Sequence, residues 1–440
     1  MSNKDKGISS YRDKLETTIS NLDKNFEYEF NMSLSNGYSV TSRSGEVENI
    51  EHHQDMALNV SVYKDFKKGS VSTNDLSDNS IQQAIDKAQN ISLNTQADDC
   101  QGLPKSEYTT KKWEDMDIYF PKELDVSNII QLTKDCENSA FQTDKRVTNS
   151  EGSSFTFSDN SHMILNSNGA FGTYDSTDYS LSCIALAEQD KLMERDYWYS
   201  STRDFDALES SDQIGVKAAE RVISRLGAKT IKTQVCPVLF SPEMTSSLIS
   251  SFLSAINGSS IYKKSSFLMD KIDKKVFPDF INIKEDPTLS NGPGTRPYDS
   301  EGVLTQKKDI IKDGYLKTYL LDTYAARKLK EKCTGNGVLT NILVSSKEAS
   351  SNLLSSMTDG LYITDMMGSG ANTLTGDYSR GAFGYLVKNG EIQYPVTEIT
   401  VASNLLKMFE NILALGDDID NRNRIRTGSM LIDNITIGGQ

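Results

Sequence analysis

Thr375-Gly376-Asp377-Tyr378-Ser379-Arg380-Gly381-Ala382-Phe383-Gly384 is a stretch built for a backbone held close to something. Its glycines permit positive φ and close approach. Tyr378 offers a flat apolar face with a polar tip, and Asp377 and Arg380 are spaced to pair across a turn. The stretch lies in a C-terminal half, residues 163–440, that contains no histidine. Catalytic zinc takes three protein ligands, often two histidines one helical turn apart, so a histidine-held zinc is excluded here. Gly376, Asp377, Tyr378, Ser379, Arg380 and Gly381 read either as a structural loop or as a loop in contact with a peptide or a second chain.

The remaining chemistry-bearing residues are sparse. The histidines are His52, His53 and His162. Adjacent side chains on a strand point to opposite faces, so His52 and His53 cannot share an ion. No Gly-x-Ser-x-Gly elbow occurs, and Ser369 and Ser379 have no histidine in their half to activate them. Cys333, in Lys332-Cys333-Thr334-Gly335-Asn336-Gly337, likewise lacks a nearby imidazole. Asp299 and Glu301 flank Ser300 in Arg296-Pro297-Tyr298-Asp299-Ser300-Glu301-Gly302. On an extended strand they share a face, as an acid/base pair or a cation site requires; in a turn, such a residue caps the turn or meets Arg296. Asn291-Gly292-Pro293-Gly294 is not followed by the Gly-Lys-Ser/Thr of a phosphate loop.

Composition narrows the function classes. A chain of 440 residues exceeds a single core. Its net charge of −14 repels phosphate backbones, which argues against nucleic acid as a partner. No run of about 18 apolar residues is present to span a membrane, and Met1–Lys6 lacks the apolar core of a signal peptide. Cys100, Cys136, Cys183, Cys236 and Cys333 are odd in number and scattered, which fits neither a disulfide framework nor a structural zinc site. A cytoplasmic protein is expected.

Periodicity divides the chain at about residue 230. Residues 10–25 have helical spacing, and Phe26–Ser72 alternates as a meander with turn signals at Asn36-Gly37 and Lys67-Lys68-Gly69. A helix capped by Ser77 or Asp78 follows, through Asn90. After a polar connector with a Lys111-Lys112-Trp113 cluster, a helix begins at Asp125 or Ser127. Strands are expected at Ser153–Ser158, Met163–Ser167 and Tyr179–Ala187, then a helix from Ser211 to Leu226. The expectation is an α+β fold. Residues 1–230 would form an N-terminal domain of β-meanders with packed helices, in two pattern units, 1–95 and 120–228. Residues 231–440 would form a β-rich C-terminal domain. There Ser241-Pro242-Glu243 opens a helix, a second helix spans Leu405–Leu415, and Gly314–Leu321 and Gly384–Lys388 are among the strands.

The quoted stretch, with Asn389-Gly390-Glu391-Ile392-Gln393-Tyr394-Pro395-Val396-Thr397-Glu398-Ile399-Thr400, closely resembles the PmbA/TldE branch of the TldD/PmbA metallopeptidase family. So do Ser266-Phe267-Leu268, Asp299-Ser300-Glu301-Gly302, Thr334-Gly335-Asn336 and Ile435-Thr436-Ile437-Gly438-Gly439, and earlier Ser61-Val62-Tyr63, Lys68-Gly69-Ser70 and Thr73-Asn74-Asp75-Leu76-Ser77. The resemblance is ordered along almost the whole chain. The family's metal-binding branch carries a His-Glu-x-x-x-His helix and a cysteine near the C-terminus. The matching helix here, Ser247–Gly258, has none of these residues, and no cysteine follows Cys333. The resemblance therefore implies a chain without its own cofactor, paired with a TldD-type chain that brings zinc. Such complexes degrade unfolded peptides and, in some bacteria, trim a ribosomally made peptide antibiotic precursor. The family's older label, modulator of DNA gyrase, reflects that peptide link. A homodimer is the alternative assembly. The rival functions are a stand-alone peptidase with an ion on Asp299 and Glu301, and a peptide-binding module that does not cleave.

Overall fold

The computed structural model describes residues 8–109 and 116–440, so the Lys111-Lys112-Trp113 cluster and Met1–Lys6 lie outside the described residues. The N-terminal half begins with α1 (Ser9–Asn21), β1 (Glu27–Arg43), β2 (Glu46–Lys64), β3 (Lys67–Thr73) and α2 (Asp78–Asn94). It continues with α3 (Val126–Thr143), β4 (Val147–Asn166), β5 (Phe171–Gln189), β6 (Leu192–Thr202) and α4 (Ser211–Arg225). All six strands form one sheet in the order β3-β2-β1-β4-β5-β6. β1 and β4 pair antiparallel from Glu29↔Asn166 to Ser42↔Ser153. Each unit is a helix, a three-strand meander and a helix, and the two meet edge to edge across that pairing. The two pattern units of the sequence thus lie side by side in one continuous sheet.

Helices cover the sheet in two patches. Phe30, Leu58, Val60 and Val62 are buried beneath α1 and α2 with Ile81 and Ile85. Phe155, Tyr179 and Leu181 are buried beneath α3 and α4 with Ile214 and Val222. Each such side chain contributes about 1.5–3 kcal/mol by leaving water. The helix starts follow their caps: Ser77 accepts from the Ser80 N–H, Asp125 from Ser127, and Ser210 forms a capping box with Gln213. From α3, the buried carboxylate of Glu137 accepts the N–H groups of Ser44 (2.9 Å) and Gly45 (3.1 Å) and the Ser150 hydroxyl, pinning the β1–β2 turn.

That turn corrects the expectation from sequence. Asn36-Gly37 lies inside β1, and the chain reverses at Ser44-Gly45, where φ is 52° and 76°. A Cβ on Gly37 would sit 2.1 Å from the Phe157 carbonyl and 2.5 Å from the His53 ring; this glycine serves close packing. Lys67-Lys68-Gly69 likewise opens β3, and the turn is Asp65-Phe66, with φ of 49° and 62°. β4 runs unbroken through Ser153–Ser158 and Met163–Asn166, and β6 is a strand that the sequence pattern did not signal.

The C-terminal half comprises β7 (Gln234–Phe240), α5 (Pro242–Ala255), α6 (Gly258–Tyr262), β8 (Ile281–Asp286), β9 (Lys308–Lys312), β10 (Tyr315–Leu316) and α7 (Thr323–Leu329). Then come β11 (Asn341–Ser346), α8 (Leu353–Ser356), β12 (Asp359–Met367), β13 (Asp377–Lys388), β14 (Glu391–Asn404), α9 (Leu405–Glu410), β15 (Ile412–Leu415), β16 (Ile425–Arg426) and β17 (Met430–Gly438). One sheet has the order β10-β9-β8-β11-β16; the other runs β14-β13-β12-β7-β17-β15 and closes on itself because β17 also pairs β14. α5 fills the space these sheets leave. Its Phe252 meets Phe277 edge-on at 5.1 Å and Phe409 at 5.8 Å. The helix expected over Leu405–Leu415 stops at Glu410; within Gly314–Leu321 the strand is Tyr315–Leu316, and Leu320 makes a single bridge to Asn257. The fold is α+β. Among the described residues no helix is long and apolar enough to cross a membrane.

Candidate functional site

α5 is amphipathic in a way that sets up a polar groove. Ser241 caps it by accepting from the Met244 N–H, and Pro242 begins it. Leu248, Ile249 and Phe252 face the core. Ser247, Ser250 and Ser254 follow the three- and four-residue spacing of one helical face; Ser250 and Ser254 are exposed, as is Asn257, which follows α5 and caps α6. A groove of about 310 Å³ runs over this face, floored by Leu253, Leu320 and Leu339 and edged by Asn336 and Arg424. Asn336 is held from behind: its amide donates to both oxygens of Glu285 (3.0 and 2.9 Å) and its carbonyl accepts from Lys308 (2.7 Å).

The Thr375–Gly384 stretch reaches α5 through Arg380. It is no free loop: Asp377 opens β13, and only Gly376, with φ of 81°, keeps the turn geometry. Asp377 and Arg380 do not pair. Asp377 accepts from the Thr375 hydroxyl at 2.7 Å, whereas Arg380 donates to Ser247 Oγ and to the Met366 carbonyl, each at 2.8 Å. Tyr378 is buried and its hydroxyl lies 3.0 Å from Met366 Sδ, so it has no face to offer a peptide; burial raises its pKa. Ser379 is exposed, and its N–H donates to the Gly370 carbonyl at 2.9 Å. Gly381 pairs with Met367 on β12 and Thr400 on β14.

Asp299 and Glu301 occupy a tight turn, not the extended strand that would align them. Asp299 is 2 % exposed. Its Oδ1 accepts from the N–H groups of Glu301 (2.9 Å) and Val303 (3.0 Å), and its Oδ2 from Gly337 (2.8 Å). Glu301 accepts from the Thr323 N–H at 2.8 Å. The turn packs on the N-terminal sheet, where Asn31 donates to the Ser300 carbonyl at 2.8 Å and Glu29 is buried close by. Burial, then the neighbouring carboxylate of Asp299, pushes Glu301 up to about 7. Burial also pushes Glu29 up to about 8, with Lys68 opposing and Glu301 and Asp299 adding to it. With its oxygens saturated by backbone donors, Asp299 is a turn cap at the junction of the two halves.

The other candidates are structural. His162 stacks on Tyr174 at 4.8 Å, and burial together with Arg296 and Arg203 brings its pKa down to about 4. Burial raises the Cys333 thiol, which points at the Leu321 carbonyl 3.5 Å away. Gly294 of the Asn291–Gly294 loop donates to the Asn341 side chain at 2.8 Å, a packing contact. Asp98, Asp99 and Cys100 bring ligand atoms within 4.8 Å of one another, but Asp98 is already bound by Lys328 (2.8 Å) and the Tyr324 hydroxyl (2.7 Å). A cleft of about 800 Å³ between β6, α4 and the start of α5 is an ionic junction. There Arg221 pairs with Asp196 and Glu243, and Arg422 pairs with Asp420 and Glu243 while lying 3.8 Å over Trp198.

Sequence reasoning missed the groove residues Ser250, Ser254 and Arg424, although the serines recur at helical spacing and Arg422-Asn423-Arg424-Ile425-Arg426 is a visible basic run. The donor set on the outer face of α5, with Asn257 just beyond it, is hydroxyl and amide. Zinc selects imidazole, thiolate and carboxylate, so these residues do not fit that ion.

Comparison with known proteins covers nearly the whole chain. Three family models match in order: PmbA/TldA metallopeptidase domain 1 over residues 29–92, the central domain over 119–226 and the C-terminal domain over 233–439. The chain is 42% identical to metalloprotease PmbA of Escherichia coli O157:H7 over 93% of its own length and 91% of that protein's. It is 42% identical to the metalloprotease PmbA homolog of Haemophilus influenzae, covering 92% and 90% of the two chains. A crystal structure from Bacteroides thetaiotaomicron, named as a modulator of DNA gyrase, superposes with a TM-score of 0.92 at 27% identity over 100% of both chains. TldE from Thermococcus kodakarensis shares the fold, with a TM-score of 0.86 at 19% identity over 97% of this chain and 100% of that one. The chain belongs to the PmbA/TldE-type metallopeptidase family.

Proposed function

We propose that this chain is the zinc-free subunit of a two-chain cytoplasmic metallopeptidase acting on unfolded peptides. A TldD-type partner supplies the zinc and its activated water, and this chain shapes the chamber and holds the substrate. The observation that carries the reading is the outer face of α5. In a chain of the metallopeptidase family, the helix that the sequence resemblance sets against the family's metal helix presents serines on that face. Exposed strand edges can bind an extended peptide backbone by strand addition.

The test is metal content and peptidase activity of the purified chain, alone and mixed with a TldD-type chain. The proposal expects no stoichiometric zinc in the chain alone and cleavage of an unfolded peptide in the mixture only. Chelator-sensitive cleavage by the lone chain would establish a stand-alone peptidase instead. Peptide binding without cleavage in either preparation would establish a binding module.

A further inference from the structure

We infer that the serine face of α5 is a carboxylate-recognition site that takes a negatively charged group of a peptide, an inference that rests on the peptide reading above. The chain carries 61 acidic and 47 basic residues. In the neighbouring cleft Arg221, Arg225 and Arg422 each hold a carboxylate. Glu243 at the start of α5 receives two of these arginines; the arginines beside the exposed serine face of α5 find no carboxylate among the described residues. Arg380 donates to neutral oxygens, those of Ser247 and Met366, and forms no ion pair among the described residues. Arg424 is exposed on the groove, and no hydrogen bond or ion pair of its side chain exists among the described residues. Arg426 lies on β16, which packs against α5, and its Nε is buried without a partner. The acid that acts on Arg426, Asp420, is already bound through both oxygens by Arg422, at 2.9 and 3.0 Å.

The groove is shaped for the same ligand. Among the described residues no Asp or Glu lines it. The hydroxyls of Ser250 and Ser259 make no hydrogen bond among the described residues and stand free to donate. A guanidinium presents a planar fork that matches a carboxylate in two parallel hydrogen bonds. Arg424 edges the groove from the bend just before β16. At about 310 Å³ the groove is at the small end of ligand sites, with room for a chain end or one acidic residue and not a folded segment. The apolar floor of Leu253, Leu320 and Leu339 would take the aliphatic part of that residue.

The experiment is fluorescence anisotropy of the full chain with labelled, unstructured peptides. One peptide, free of Asp and Glu, is made with a C-terminal carboxylate and with a C-terminal amide; a third is amidated but carries internal Asp and Glu. Binding of the free acid about tenfold tighter than the amide is expected, with the difference abolished in Arg424→Gln at an unchanged melting temperature. Tight binding of the third peptide, also lost in Arg424→Gln, would support the same site with a side-chain carboxylate as its ligand. Equal binding of all three peptides, no binding, or a preference that survives Arg424→Gln would overturn the inference. Cleavage in the mixture with a TldD-type chain is read separately. Its absence defeats the subunit reading whatever the binding preference, and equal binding defeats this inference whatever the cleavage.

Discussion

The guanidinium of Arg380 and the hydroxyl of Ser247 are hydrogen-bonded at 2.8 Å, tying β13 to α5 across 133 residues of sequence. The same guanidinium holds the Met366 carbonyl on β12, also at 2.8 Å. One side chain thus joins the glycine-bearing stretch Thr375–Gly384 to the helix whose polar face forms the groove.

Arg380→Ala leaves a buried carbonyl and a serine without their donor and should cost about 1–3 kcal/mol. Arg380→Lys should recover only part of this, because an ammonium cannot reproduce the two-armed fork. Asp377→Ala, which loses an exposed contact with Thr375, should stay within about 0.5 kcal/mol. Denaturant unfolding of the three variants measures the order; a large loss in Asp377→Ala with none in Arg380→Ala would contradict the geometry.

The buried carboxylates at the junction of the two halves predict a pH dependence. Folding raises Glu29 to about 8 and Glu301 to about 7 from ordinary values near 4.5, burial being the main cause in both. The folded state therefore holds protons that the unfolded state releases. Their contribution is full below about pH 4.5 and is lost as pH rises through 7 to 8. Glu29→Gln should flatten the fall in stability between pH 5 and 8 by up to a few kcal/mol, since each pH unit between the folded and unfolded pKa is equivalent to about 1.4 kcal/mol. Urea midpoints of variant and parent at pH 5, 6.5 and 8 would show it, and parallel profiles would refute it.

Glu285 and Lys308 form a buried ion pair at 3.0 Å, the carboxylate also accepting from Asn336 and from the Thr340 N–H and hydroxyl. Glu285→Ala should cost about 3–5 kcal/mol, since it leaves a largely buried ammonium without its counter-ion. Adding Lys308→Met should return part of that loss. If the double variant is no more stable than the single one, the stranded charge is not the cause.

Two glycines should respond differently to alanine. Gly37→Ala drives a methyl to 2.1 Å from the Phe157 carbonyl and should fall at or beyond the upper end of the roughly 1–3 kcal/mol typical of overpacking. At Gly45 no atom lies within 4 Å and φ is 76°, so alanine meets only backbone strain of about 1 kcal/mol. Thermal melts of the two variants rank them.

Much of this protein is local, and the local part was legible. Helix starts at Ser77, Asp125, Ser210 and Ser241 follow from a side-chain oxygen placed before an apolar-periodic run, an effect that spans three residues. The absence of histidine after residue 162 excluded a histidine-held zinc in the C-terminal half before any fold was known, because it is a matter of inventory. The tertiary structure decided the rest. Asn36-Gly37 has the chemistry of a turn, yet Gly37 packs against β4 and the His53 side chain, and the turn falls where Glu137 of a distant helix receives the free N–H groups of Ser44 and Gly45. Asp299 and Glu301 alternate as a strand would, but three backbone donors, one of them from Gly337, fold them into a capped turn. Arg380 chose Ser247 over Asp377 for the same reason. Spacing determines which side chains share a face, but hydrogen-bond partners are settled by whichever acceptor the folded chain brings within about 3 Å, and those acceptors lie far away in sequence.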